Sequence, residues 1–290
     1  MVIEESSTAM APIRHLSFRV AAAVAAYLLL ASPGARAAET VRLSGTGTAL
    51  GTMYQLSAAF EKANPGTRIH LLPSVGSSGA LKAVAEGALD VGLSGRPLKP
   101  EERSLPIVAM PYARTPFVFA VGPRTGVAGI TAGEIARIYR GELQSWPNGE
   151  RVRLVLRPRA DVDTVITRGI SADVSAAVDV ALARDGMLMA ATNQECDEIL
   201  ARTPGSVGPS SLTQIVTEDK PLTPLTWNGV APTVPNLASG AYPLAKTLFL
   251  VVRASPAPAV RRFVAFLGSP EARTILEATG NLAVPLPALE

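Results

Sequence analysis

The chain has 290 residues, of which 48% are apolar and 18% are charged, and this composition indicates a globular protein of one large domain or two smaller ones. The formal charge is only +3, and basic and acidic residues are interspersed. This distribution argues against a nucleic-acid partner, which requires a clustered basic face. The single cysteine, Cys196, excludes an internal disulfide.

The N-terminal residues have the pattern of a targeting segment. Arg14 and Arg19 precede an apolar run over residues 20–31, and Ala35-Arg36-Ala37 matches a small-x-small cleavage site. The run is too short for a stable transmembrane helix, which needs roughly 20 apolar residues. We therefore expect residues 1–37 to be a signal peptide that is cleaved near Ala37. The alternative is an uncleaved membrane anchor.

From Val41 onward the sequence alternates between strand patterns and amphipathic helix patterns. A strand, a loop of small residues and a helix follow one another twice before Leu98, which gives a βαβαβ order. This order is typical of a mostly parallel sheet with helices on both faces. Two apolar runs, 107–110 and 117–121, follow, and we expect the chain to cross there to a second lobe. The later predicted elements are a helix between Thr131 and Gly141, a strand over Val152–Leu156, helices over Ser171–Arg184 and Glu195–Arg202, an irregular segment over Leu222–Tyr242, a strand over Thr247–Val252, and closing helices over Pro258–Leu267 and Ser269–Gly280.

Two loops of small residues, Ser44–Gly51 and Gly76–Gly79, each precede a predicted helix. The first N–H groups of a helix have no intrahelical partner, and the helix dipole adds partial positive charge there. Two such ends that face one cleft can hold a small oxyanion without a lysine. The alternative is that both loops are ordinary turns and caps with no ligand.

Several kinds of catalytic chemistry have no residues to support them in the sequence. Beyond the predicted signal peptide the only histidine is His70, which lies inside an apolar strand pattern and is poorly placed for a catalytic triad. No His/Cys cluster has the spacing of metal ligands, and neither a phosphate-binding P-loop nor a G-x-S-x-G nucleophile motif is present. We therefore expect no enzyme activity, no metal and no cofactor.

The motifs, taken together and in order, resemble those of the PstS-like phosphate-binding proteins of ABC transporters, within the periplasmic substrate-binding superfamily (type II). Each motif is modest alone, but the order and spacing fit over most of the chain. The segments that carry the resemblance are Ser44–Thr48, Gly76–Gly79, Leu89–Ser94, Tyr139–Gly141 with Trp146, Gly205–Gly208 and Phe263–Gly280.

This resemblance implies an α/β fold of the two-lobed Venus-flytrap type, with each lobe a mostly parallel sheet flanked by helices. Residues 38–117 and 248–290 would form lobe 1, and residues 118–247 would form lobe 2. The implied function is a periplasmic, monomeric solute-binding protein that captures phosphate or a related small oxyanion and passes it to a membrane ABC transporter permease. The runner-up is a diverged interaction module that has lost phosphate binding and acts in sensing. A weaker third hypothesis is an exported hydrolase.

The resemblance also implies which residues contact the ligand. They come from the two small-residue loops, from the segment after the third strand and from a loop in the second lobe: Thr46, Thr48, Ala49, Ser77, Ser78, Arg96, Arg157, Arg159, Asp163 and Thr164. Arginine in this set supplies a planar fork that suits an oxyanion.

The sequence departs from the family pattern at two places. Gly95 stands where the family has an Asp that accepts a proton from bound phosphate, and the second-lobe loop is shortened. These departures predict weaker discrimination between phosphate and sulfate, unless Asp161 or Asp163 takes over as the acceptor. For Arg96 two roles remain open, namely binding the anion or pairing with the acidic residues at 101 and 102.

Overall fold

The computed structural model describes residues 1–2, 38–123 and 125–287. The predicted signal peptide and its cleavage near Ala37 therefore lie almost entirely outside the described residues.

The described chain alternates between strands and helices, as the sequence predicts for an α/β protein. The strands are β1 (Glu39–Gly45), β2 (Thr67–Leu71), β3 (Val91–Ser94), β4 (Ile107–Val121), β5 (Gly129–Ile130), β6 (Arg153–Leu156), β7 (Leu188–Met189), β8 (Ser206–Ser211), β9 (Thr223–Pro224), β10 (Thr226–Trp227), β11 (Ala245–Arg253) and β12 (Leu282–Ala283). The helices are α1 (Gly47–Ala63), α2 (Gly76–Ala85), α3 (Ala132–Arg140), α4 (Val162–Arg168), α5 (Ala172–Ala183), α6 (Asn193–Arg202), α7 (Leu212–Thr217), α8 (Val234–Ser239), α9 (Pro258–Leu267) and α10 (Pro270–Ala278), with one turn of 3₁₀ helix at Pro100–Glu102.

One large sheet runs through the molecule in the order β2-β1-β3-β11-β4-β8-β6-β7. The three strands at each end are parallel to their neighbours, in agreement with the predicted βαβ units. The long strands β4 and β11 between them are antiparallel to each other and to β8 and β3, respectively. The short strands β9 and β12 pair with β4, and β5 pairs with β10 in a separate two-stranded sheet.

Strand β4 corrects one expectation, because the sequence predicts two short strands around its two prolines. The structure has a single strand of 15 residues, which pairs with β11 as far as Pro116 and with β8 from Phe117 onward. Proline cannot donate a ladder hydrogen bond. Pro111 is accommodated because it lies opposite Phe249, where the register of β11 shifts.

Buried apolar side chains form two main clusters on this sheet. One draws on residues between Phe117 and Tyr242, and the other on residues 41–113 together with residues 248–276. A smaller cluster around Leu81 and Val251 lies beside the second one. The lobe boundaries given above remain a prediction.

Two other elements differ from the expectation for physical reasons. Helix α1 begins at Gly47, inside the loop Ser44–Gly51 that is expected to precede it, because the second half of this loop adopts helical geometry directly after the extended Thr46. The segment over residues 222–242, expected to be irregular, contains β9, β10 and α8. Its Pro and Gly residues mark element boundaries, since Pro235 lies in the first turn of α8 and the left-handed Gly240 ends it.

None of the helices within the described residues combines the length and the apolar character needed to cross a membrane. The same part of the chain contains no group of three or more His, Cys, Asp or Glu side chains that could hold a metal ion.

Candidate functional site

A cavity of about 350 Å³ lies where the first turns of α1, α2 and α4 approach one another. Its lining combines small hydroxyl residues with charged side chains from distant parts of the sequence. The described residues that line it are Thr46, Ser74, Val75, Gly76, Ser77, Ser78, Gly79, Arg96, Arg157, Ala160, Asp161, Val162, Asp163, Ala191, Thr192, Asn193 and Lys246. A larger cavity of about 750 Å³ between the end of α3 and strands β6 and β7 contains none of the predicted site residues.

Helices α1 and α2 both begin at the smaller cavity without a side-chain cap. Within the described residues, neither Thr46 before α1 nor Val75 before α2 makes a side-chain capping hydrogen bond. The Ser74 Oγ accepts one long hydrogen bond, of 3.4 Å, from the N–H of Gly76 at the start of α2. By contrast, Thr131 and Ser171 cap α3 and α5 through their hydroxyl oxygens. Uncapped N–H groups at a helix start are suited to a bound anion.

The hydroxyl groups of Ser77 and Ser78 lie at the start of α2. The Ser77 Oγ accepts a hydrogen bond from the backbone N–H of Gly95 at 2.9 Å, and the Ser78 Oγ accepts one from Arg96 Nη2 at 2.9 Å. Each hydroxyl therefore accepts one bond from the protein and keeps its own O–H as a donor for a ligand.

Arg96 is engaged by a carboxylate at the edge of the cavity. Its Nη1 and Nη2 donate to the two oxygens of Glu102 at 2.6 and 2.7 Å. This bidentate pairing lowers the pKa of Glu102 to about 2. Of the two roles that the sequence leaves open, the structure thus shows the pairing with Glu102, although Arg96 also lines the cavity.

Arg157 is buried and is held by three hydrogen bonds. Its Nε and Nη2 donate to the carboxylate of Asp161 at 3.3 and 2.8 Å, and its Nη1 donates to the Ala190 carbonyl at 2.8 Å. Asp161 also caps α4 by accepting from the N–H of Asp163 at 2.9 Å. Burial raises the pKa of Asp161, and the neighbouring charge of Asp163 raises it further.

The side chain of Lys246 connects the starts of α1 and α4. Its Nζ donates to Thr48 Oγ1 at 3.0 Å and forms an ion pair with Asp163 Oδ1. The second carboxylate oxygen of Asp163 accepts from Asn193 Nδ2 at 2.8 Å. The side chains of Lys246 and Asp163 are both fully buried, although both line the cavity.

The structure brings six of the ten predicted ligand residues to the cavity wall: Thr46, Ser77, Ser78, Arg96, Arg157 and Asp163. Their contact with a ligand remains a prediction. The other four lie elsewhere. The Thr48 hydroxyl accepts from Lys246 Nζ, Ala49 is in an apolar core, and Thr164 donates through its hydroxyl to the Arg157 carbonyl at 3.1 Å. Arg159 is exposed and pairs with Asp179 at 2.6 Å, so the structure does not bring it to the site.

Lys246 and Asn193 line the cavity but are not among the predicted site residues. A signal for Lys246 is present in the sequence. It lies on the same face of β11 as Leu248 and Leu250, two and four residues further on, and both leucines are buried. A lysine in register with core residues must have a buried partner, and this observation could have singled it out.

Comparison with known proteins places these features in a family. A family model described as the PBP superfamily domain matches residues 30–271. The phosphate-binding protein PstS of Bacillus subtilis is 28% identical over 215 residues, covering 72% of this chain and 68% of the relative. PstS of Borreliella burgdorferi is 23% identical over 258 residues, covering 84% of this chain and 90% of the relative. The resemblance to PstS-like proteins is thereby confirmed.

A solved structure shows the same fold. The putative phosphate ABC transporter substrate-binding protein of Clostridium perfringens, crystallised with bound phosphate, has a TM-score of 0.73 and 18% identity, and the match covers 85% of this chain and all of the other. At this identity the match shows the fold alone, which is the predicted two-lobed α/β fold. Because the family model spans most of the sequence, the chain belongs to the PBP superfamily.

Proposed function

We propose that the protein is an exported solute-binding protein that captures phosphate or a related small oxyanion and delivers it to a membrane ABC transporter. The observation that carries this proposal is the cavity at which α1 and α2 begin uncapped beside the buried cations Arg157 and Lys246. The relatives named as phosphate-binding proteins support it. The protein acts as a periplasmic monomer and carries out no covalent chemistry.

The binding mechanism follows from the donors around the cavity. The N–H groups at two helix starts and the hydroxyls of Ser77 and Ser78 donate to the oxygens of the anion, and these contacts strengthen as water is excluded from the site. Hinge closure of the two lobes excludes the remaining water. Release to the transporter requires the reverse motion.

The basic side chains of the described cavity wall are paired with carboxylates before any anion enters. Each of the three basic side chains in that lining has a carboxylate partner: Arg96 with Glu102, Arg157 with Asp161, and Lys246 with Asp163. The anion therefore shares these cations with protein carboxylates. Neutral donors, namely helix N–H groups and hydroxyls, provide the contacts that do not face such competition.

Calorimetric titration of residues 38–290 with phosphate, arsenate and sulfate tests the proposal. Wild-type protein is expected to bind at least phosphate and arsenate. Ser77→Asp places a carboxylate on the cavity wall, and two like charges about 4 Å apart repel by about 4 kcal/mol near a protein surface, so binding should weaken at least 100-fold. The matched control is Ser104→Asp, an exposed position outside the cavity, which should bind as wild type does.

Two results would contradict the proposal. If the folded wild-type protein bound none of the three anions, the capture function would be wrong. If Ser77→Asp bound phosphate as tightly as Ser104→Asp, the anion would have to bind at a place other than this cavity.

A further inference from the structure

Lys246 brings a charged hydrogen-bond donor to the cavity in addition to the neutral donors of the helix starts and hydroxyls. Its ammonium group has three N–H donors, and the described residues offer it two acceptors, Thr48 Oγ1 and Asp163 Oδ1. One donor remains on a side chain that lines the cavity. A buried ammonium is costly unless it is paired and fully hydrogen-bonded. An oxyanion in the cavity would supply the missing acceptor.

Gly95 borders the space that the Lys246 side chain occupies. A Cβ atom at residue 95 would lie 3.7 Å from Lys246 Cδ, 3.5 Å from Val162 Cγ1 and 3.8 Å from Ser77 Oγ. The aliphatic stem of Lys246 therefore packs beside Gly95, in the space that a larger residue would enter. This packing carries the charged end between the start of α1 and the start of α4.

Asp163 determines how much of the positive charge of Lys246 is available to a bound anion. Its carboxylate is buried, lines the same cavity and neutralises the ammonium. It would also lie near any anion bound to Lys246, and like charges in a buried site repel strongly. An anion that reaches Lys246 must consequently compete with Asp163 for the ammonium.

We propose that Lys246 contacts the bound oxyanion directly and that Asp163 is a competing counter-ion that weakens this contact. The inference rests on the proposed function, since it concerns the same cavity. The ligand class is a small oxyanion with at least one ionised oxygen that faces the ammonium. Asp163 thus limits the affinity of the site, and the Lys246–Asp163 pair tunes how tightly the anion is held.

The expected effects have opposite signs for the two partners. Asp163→Asn removes the competing charge but keeps the shape of the side chain, so phosphate should bind at least tenfold tighter. Lys246→Met removes the ammonium but keeps the stem beside Gly95, so phosphate should bind at least tenfold more weakly, whereas Lys246→Arg should retain most of the affinity. The control Asp179→Asn changes the net charge equally at an exposed position outside the cavity and should leave the affinity unchanged.

The experiment is calorimetric titration of each purified variant of residues 38–290 with inorganic phosphate, after circular dichroism has shown that the variant is folded. The double variant Lys246→Met/Asp163→Asn tests whether the gain acts through the ammonium. If it does, Asp163→Asn should improve binding much less in the Lys246→Met background than in the wild-type background.

The outcomes separate this inference from the proposed function. Phosphate binding by Asp163→Asn but not by wild type would support the inference and contradict phosphate capture by the natural chain. Weaker binding by Asp163→Asn would overturn the inference, because Asp163 would then be an acceptor that assists the ligand. Unchanged binding by folded Lys246→Met would overturn it as well, and this result can be obtained even if Asp163→Asn does not fold. Failure of every folded variant to bind would overturn both.

Discussion

The carboxyl group of Asp197 on α6 makes the stability of the protein dependent on pH. Asp197 is completely buried, and neither of its carboxylate oxygens has a hydrogen-bond partner among the described residues. Burial raises its pKa to about 7, against an ordinary value of 3.8. The neighbouring Ser210 hydroxyl opposes this increase, while the negative charge of Glu218 adds to it.

The size and sign of the effect follow from proton linkage. Between pH 4 and pH 7 the folded chain keeps a proton on Asp197 that the unfolded chain has lost, so the free energy of unfolding falls as pH rises through this range. A pKa difference of about three units corresponds to on the order of 4 kcal/mol in total. Of this amount, about 2–3 kcal/mol should be lost between pH 5 and pH 8.

Replacement by an uncharged isostere should remove this dependence. We expect Asp197→Asn to lose about 2–3 kcal/mol less stability than wild type between pH 5 and pH 8, and to be the more stable protein at pH 8. Urea unfolding of both proteins at the two pH values measures the difference, and Asp185→Asn at an exposed position is the control. If wild type and Asp197→Asn lost the same stability over this range, the reasoning from burial would be refuted.

Two further predictions use matched pairs. Arg157→Ala should weaken phosphate binding at least tenfold in a calorimetric titration, whereas Arg159→Ala should leave it unchanged because the Arg159 side chain is exposed and pairs with Asp179. Gly51→Ala on α1 should lower the free energy of unfolding by about 1–3 kcal/mol, since its Cβ would lie 2.2 Å from Thr217 Oγ1 on α7. Gly133→Ala meets no atom within 4 Å and should raise that free energy by about 0.5–1 kcal/mol, so equal effects of both glycine substitutions in urea unfolding would contradict the close approach of α1 and α7.

The sequence was informative wherever the determining interactions are local. Helix α3 lies between Thr131 and Gly141, as the sequence predicts, and the structure shows that a capping box of Thr131 and Glu134 begins it and Gly141 ends it. The two small-residue loops do lead into helix starts at one cavity, because each belongs to a strand–loop–helix unit whose geometry is set within about 20 residues.

The sequence was less informative about which charged residues contact one another at the cavity. Arg157 and Arg159 are two residues apart in one loop, yet only Arg157 lies at the cavity. Arg157 donates to the Ala190 carbonyl, 33 residues away, whereas Arg159 pairs with Asp179. Lys246 lies 198 residues from Thr48 in sequence, and it contacts both Thr48 and Asp163 in the folded chain. No local pattern encodes the pairing of Lys246 with Asp163, so this part of the charge pairing at the cavity becomes visible only in three dimensions.

The path of the chain through the sheet has a consequence for the order of folding during synthesis. The apolar core built from residues 117–242 is contiguous in sequence, so all of its parts are synthesised before β11. The core that contains β1 and β3 cannot be completed until then, because β11 fills the gap between β3 and β4. We therefore expect a nascent chain that ends before residue 245 to hold one finished core and one open sheet with two unpaired strand edges. Such edges invite pairing with other chains, which makes the interval before β11 appears the period of greatest risk of aggregation.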